Sequence, residues 1–229
     1  MTESLPLMQV RRLYDDFDAP VTDVDCGQLC APHNPHGKPF CCDICEAVPA
    51  AYHQEWDYFR HHTDLWHTYR GDECPHEQAD PAALLAETPE HMLLLACLGP
   101  AHCQRGYRAI SCRQFPFLPY ISTDYRFIGL AYEWTFEETC WVISNLGRVT
   151  DAYRQQFISI YDALFEQWPQ DFDSYAILSE QMRAHYSEKR RRFTLLHRNG
   201  KAYLVSPASE RMQQVTAEDL PRFGVYKHS

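Results

Sequence analysis

The clearest hydrophobic pattern lies in the last third of the chain. In "TDAYRQQFISIYDALFEQW", Tyr153, Phe157, Ile160, Tyr161 and Leu164 recur at threes and fours. That spacing predicts an amphipathic helix, with Thr150 as its N-cap. "FDSYAILSEQMRAHYSEKRRR" reads as a second helix, closed by a basic run that suits the negative end of the helix dipole. In "FTLLHRNGKAYLV", two apolar runs flank Asn199-Gly200, which predicts a β-hairpin. Upstream the pattern is looser. Val48, Tyr52, Trp56, Phe59, Trp66 and Tyr69 keep the helical spacing with one gap, predicting a single helix over Glu46–Tyr69. Asp80-Pro81 opens a short helix through "AALLAE", and Thr88-Pro89 offers another start. A short helix is expected around Gln9–Phe17. "YRFIGLAYEWT" (125–135) is rich in aromatic and β-branched residues and reads as a strand.

Two stretches follow no period. "CGQLCAPHNPHGKPFCCDIC" (26–45) holds three prolines and two glycines among its cysteines. "CLGPAHCQRGYRAISCRQFPFLPY" (97–120) again mixes Cys with Gly and Pro. Such backbone is irregular, and clustered thiols on it suit a metal knot better than a helix. No cysteine follows Cys140. The expected fold is α+β and mainly helical, with an irregular cysteine-rich metal-binding core and a C-terminal β-hairpin. Residues 1–148 form the cysteine-cluster region, and the helices and hairpin of 149–229 pack on it as one compact unit.

Composition narrows the chemistry. A chain of 229 residues, 45% hydrophobic, is long enough for a real core. Its 21 basic and 31 acidic residues leave a formal charge of −10, which excludes a general nucleic-acid binder. The longest apolar run, "MLLLACL" (92–98), is too short to cross a bilayer, and the N-terminus shows no signal-peptide pattern. The expected location is therefore cytoplasmic, with no membrane partner. In a reducing compartment the ten cysteines favour metal binding or thiol chemistry over structural disulfides.

Soft thiolates select zinc, iron–sulfur clusters or Cu(I). A tetrahedral site needs four ligands, and this chain offers more than eight. Cys41 and Cys42 are neighbours, with Cα atoms about 3.8 Å apart across a trans peptide. A disulfide usually wants about 4.4–6.8 Å, so each must look elsewhere. "CDIC" is formally a redox spacing, but no parallel βαβ pattern surrounds it. None of the standard zinc-finger spacings fits.

"CLGPAHCQRGYRAISCRQFPF" resembles the signature of the YkgJ-type cysteine-cluster family of zinc- or iron-chelating domains. That family has an early cysteine group ending in an adjacent pair. Two spaced cysteines then lead into a segment like "YRPxxCRxFPF". Residues Tyr107 to Phe117 match that segment, with Ala109 where proline is usual, over a resemblance spanning roughly 25–141. The resemblance implies eight metal ligands: Cys26, Cys30, Cys41, Cys42, Cys97, Cys103, Cys112 and Cys140. Cys45 and Cys74 fall outside it. The cofactor implied is an iron–sulfur cluster or iron, or else zinc. Flagellin lysine-N-methylases carry a similar cluster, which keeps open a metal-dependent protein-modifying enzyme. A third reading is an interaction module with structural zinc and a protein partner. Arg105, Arg108 and Arg113 could offset thiolate charge or donate to the sulfurs. Phe115 and Phe117 could wall the site, or simply fill a core.

Other signals are weaker. His53, Asp57 and His61 share one helix face, which reads more simply as solvated surface. His33, His36, His76 and His102 lie near cysteines and could each replace a thiol. Glu133, Glu137 and Glu138 precede Cys140 and could serve as acid/base groups, though solvent-facing roles are the commoner fate. No phosphate-binding glycine loop and no H-E-x-x-H motif occurs.

Overall fold

The computed structural model describes residues 7–74 and 80–227. The chain forms two compact units, one of Met1–Asp18 and Gly27–Gln114, the other of Ala19–Cys26 and Phe115–Ser229.

The first unit holds α1 (Leu7–Asp15), most of α2 (Cys26–Cys30), β1 (Ala50–Tyr52), α3 (His53–His62), β2 (Trp66–Thr68), α4 (Pro81–Glu87), β3 (Met92–Cys97) and α5 (Ile110–Gln114). Its sheet is antiparallel in the order β1-β3-β2, with Ala50 opposite Leu94 and Trp66 opposite Cys97. Tyr14 of α1 packs on Tyr58 and Phe59 of α3, and Phe59 stacks on Trp66. A smaller cluster joins Tyr69, Leu94 and Ala96 to Ile44, Val48 and Leu84.

The expected helix over Glu46–Tyr69 is corrected to strand, helix, strand. Only His53–His62 is helical. Pro49 and Ala50 lie beside β3, where the Leu95 amide donates to Pro49 O. At the other end Thr63 turns extended (φ −156, ψ 150) and releases the chain into β2. Thr88-Pro89 starts no helix: Pro89 O accepts from the Met92 amide in the turn into β3. The run "MLLLACL" supplies that strand. Asp80 caps α4 through the Ala82 amide, 3.0 Å away.

The second unit holds β4 (Phe117–Ile121), β5 (Phe127–Tyr132), α6 (Asp151–Gln167), α7 (Pro169–Glu188), β6 (Phe193–His197), β7 (Ala202–Val205) and β8 (Met212–Val215). The strands form one antiparallel sheet in sequence order. Thr150 accepts from the Tyr153 amide at the start of α6, whose predicted stripe is buried. Gly200 occupies the hairpin turn at φ +87, a conformation glycine adopts without strain. Ala19–Cys26 is tied in by a bridge between Thr22 and Val149 and by a two-pronged Arg148–Asp23 pair.

Two antiparallel sheets, of three and five strands, overturn the expectation of a mainly helical chain. The fold is a mixed α+β one, and the expected hairpin is the middle of a sheet. Among the described residues no helix is long and apolar enough to cross a membrane.

Candidate metal centre

Three separate segments of the first unit bring thiols to one place. Cys41 and Cys42 sit on a tight helical turn, Phe40–Cys42, which begins after Pro39 and is anchored by the buried Phe40. Cys97 is the last residue of β3. The chain then reverses at Gly99, whose φ of +88 suits a residue without Cβ. The Gly99 amide thereby donates to Cys97 Sγ at 3.4 Å. A further turn, Pro100–His102, delivers Cys103, and α5 carries Cys112. All five thiols and Arg108 line a cavity of about 370 Å³.

The sulfurs act on one another. Burial pushes the Cys112 thiol far above its ordinary pKa, and the sulfurs of Cys97, Cys42 and Cys103 push it further, against the pull of Arg108. Burial also raises Cys97, with Cys42 and Cys103 adding to the effect. Cys42, Cys97, Cys103 and Cys112 thus form one electrostatic set. Metal-free, Cys97 and Cys112 resist ionising. A cation among them would remove that penalty, because thiolate is the ligating form. The donor set therefore fits a thiophilic metal. Cys41 Sγ stands 3.9 Å from Cys42 Sγ, within reach of a weak hydrogen bond, and no disulfide joins them.

The three arginines divide. Arg108 Nε donates to Cys103 Sγ at 3.2 Å. Burial works against its charge, but the sulfurs of Cys103, Cys42 and Cys112 outweigh that and raise its pKa. Arg113 does not serve the sulfurs. Its guanidinium donates to the carbonyls of Arg108, Tyr14, Phe17, Arg105 and Gly106, and lies over the Tyr14 ring. Arg105 is exposed. Phe115 meets Phe136 edge-on and Phe117 lies by Tyr153, both as packing within the second unit.

The other expected residues are placed as follows. Cys30 is buried, with Sγ 3.6 Å from Gly27 O. Cys26 and Cys140 belong to the second unit, Cys26 near Tyr153 and Cys140 buried. His33 and His102 are exposed, and His76 lies outside the described residues. His53 and His61 bond to the carbonyls of Glu90 and Asp57 near the surface of α3. Glu138 is exposed, whereas Glu137 is buried against Tyr132, Tyr186 and Arg191.

Cys45 and Cys74 form a disulfide, which corrects the expectation that this chain would carry none. Reasoning from compartment had set disulfides aside; here the turn after Asp43 and the end of the Arg70–Cys74 loop place the two Cα atoms 5.1 Å apart. Sequence reading also passed over Asp43. It is fully buried and takes Asn34 Nδ2 at 3.1 Å, His36 Nδ1 at 2.5 Å, Lys38 Nζ at 3.4 Å and the Cys45 amide at 3.2 Å. Burial pushes its carboxyl up, but the hydrogen bonds from His36, Asn34 and Cys45, with the Lys38 charge, hold it below its usual value. His36, Asp43 and Cys45 also lie close enough to hold a metal, with donor atoms within 4.8 Å. The Cys45 sulfur is already bonded to Cys74, so Asp43 serves first to organise the loop carrying Cys41 and Cys42. No spacing rule signals an aspartate of this kind.

The chain matches no family model, no curated protein and no solved structure.

Proposed function

We propose that this chain is a metal-binding cysteine-cluster protein whose first unit holds the metal through Cys42, Cys97, Cys103 and Cys112. One observation carries the reading: four thiols from three segments line one cavity, where Cys97 and Cys112 feel the sulfurs of their neighbours. The likeness of "CRQFPF" and its upstream cysteines to the YkgJ-type signature supports it. That likeness extends ligand roles to Cys26, Cys30, Cys41 and Cys140.

An iron–sulfur cluster is favoured over a single zinc ion. Zinc–sulfur bonds of about 2.3 Å put tetrahedral sulfurs about 3.8 Å apart. Among the described residues the only three ligand-type side chains with donor atoms within 4.8 Å are His36, Asp43 and Cys45. The chain's free thiols outnumber the four that one tetrahedral ion takes, as suits a polynuclear centre.

Anaerobic purification with metal analysis and a visible spectrum tests both levels. Iron with sulfide and a broad visible band is expected. Stoichiometric zinc in a colourless protein overturns the cluster. A folded protein without metal, with its eight thiols all titratable, overturns the function. Cys112→Ser should lower metal content, while Cys74→Ser should leave it unchanged.

A further inference from the structure

We propose that the cavity above the four sulfurs is a binding site for a small organic ammonium ion with an apolar body. The inference rests on the metal reading for part of its charge argument. The cavity, at about 370 Å³, falls within the range of small-molecule sites, about 300–1,000 Å³. The metal centre would take the part of that space next to the sulfurs, and the remainder is bounded by other side chains. Part of its wall is apolar, made by Ile44, Pro49, Leu65, Trp66, Leu98 and Pro100, beside the charged Lys38, Glu73 and Arg108. The register of β2 on β3 sets Trp66 opposite Cys97, so an indole stands beside the sulfur floor. Trp66 is fixed there by stacking on Phe59 and by its Nε1 donating to Tyr107 O at 2.8 Å.

Charge selects the head group. Four thiolates around one Zn²⁺, or around a doubly positive four-iron cluster, leave two negative charges. Arg108 returns one positive charge. Lys38 is taken up by Asp43 at 3.4 Å. Glu73 adds a negative charge at the cavity wall. Its two oxygens accept from the amides of Arg70 and Gly71, at 2.8 and 2.9 Å. Its nearest cationic candidate among the described residues is His67, 3.7 Å away. The loaded cavity therefore carries excess negative charge in front of an aromatic ring. A cation is matched on both counts, since an indole face attracts cations. An anion is repelled.

Benzylammonium, benzyl alcohol and phenylacetate share a ring and differ in charge, so they serve as probes. Each is titrated into the metal-loaded full-length protein by calorimetry, with metal content measured on the same samples. Benzylammonium should saturate one site and bind about tenfold tighter than benzyl alcohol, a difference of about 1.4 kcal/mol, while phenylacetate does not bind. Glu73→Gln should weaken benzylammonium several-fold with metal content and visible spectrum unchanged. Preferential binding of phenylacetate, or no binding of any probe to loaded protein, overturns this proposal and leaves the metal reading standing. Protein that holds no metal overturns the metal reading and the charge argument with it. Should Glu73→Gln fail to fold, the ranking of the three probes on wild-type protein still decides.

Discussion

Arg108 and Arg113 lie five positions apart on one motif and do opposite work. Arg108 spends its Nε–H on the Cys103 sulfur and sits where thiolate charge would gather once a metal bound. Arg108→Gln should fold normally yet lose metal faster to a chelator, about tenfold, because an N–H to sulfur and one positive charge are removed together. Arg113 ties α5 to the end of α1 through backbone carbonyls. Arg113→Met takes the guanidinium donors away from those carbonyls and should cost on the order of 3 kcal/mol in urea unfolding. If Arg113→Met were as stable as wild type, that strut would be refuted. Glu55 is buried beneath the same strut, accepting from Tyr14 Oη and from the amides of Ile110 and Tyr52. Burial raises its carboxyl pKa despite those donors. A raised folded pKa means the native state holds its proton more tightly than the unfolded chain. Stability from this group is therefore greatest below the unfolded pKa, about 4.3, and is lost as pH rises through the folded value. The advantage of wild type over Glu55→Gln should shrink across that window in urea midpoints taken from pH 4 upward; an advantage that grows with pH would contradict the sign.

At the scale of elements, legibility followed how local the cause was. The stripe of α6 and its Thr150 cap are written within one stretch of chain, and the structure has both. The segment from Pro49 to Thr68 is different. Its strands are three residues each, too short to show a period of two, and both exist only because β3 supplies their partner. Trp66 and Tyr69 kept a helical spacing by coincidence with Phe59. The resemblance named eight cysteines, five of which the structure brings to one cavity, while that cavity, Asp43 and Glu73 depend on contacts no local pattern records. The disulfide was obscured by a premise about compartment. It joins residues 29 apart, and closing a loop of that length removes unfolded-state entropy worth about 3.6 kcal/mol. Cys45→Ser with Cys74→Ser should lower stability by about that much, measured by denaturant unfolding, without lowering metal content. A matching loss of metal would place one of the two among the ligands.

Over the whole molecule, the chain passes between its two units three times, yet Cys42, Cys97, Cys103 and Cys112 all fall within Gly27–Gln114. Between Cys42 and Cys97 lie β1, α3, β2 and α4. A metal on these four sulfurs closes that long loop in the folded state alone, so its binding free energy is also folding free energy. The net charge of −10 works in the same direction, raising the local concentration of cations around the protein. Removing the metal should therefore act regionally. Amide hydrogen exchange should quicken at Phe40–Cys42, at the Cys97 end of β3 and through α5, where backbone order would be tied to the proposed ligand sulfurs. The five-stranded sheet of the second unit carries none of these four sulfurs, so peptides from β4, β5 and β6 should keep their protection. Equal loss of protection in both sets would show that the metal supports the chain as one cooperative whole. Unchanged exchange in the first unit, with metal demonstrably gone, would show that the thiol segments hold their places without it.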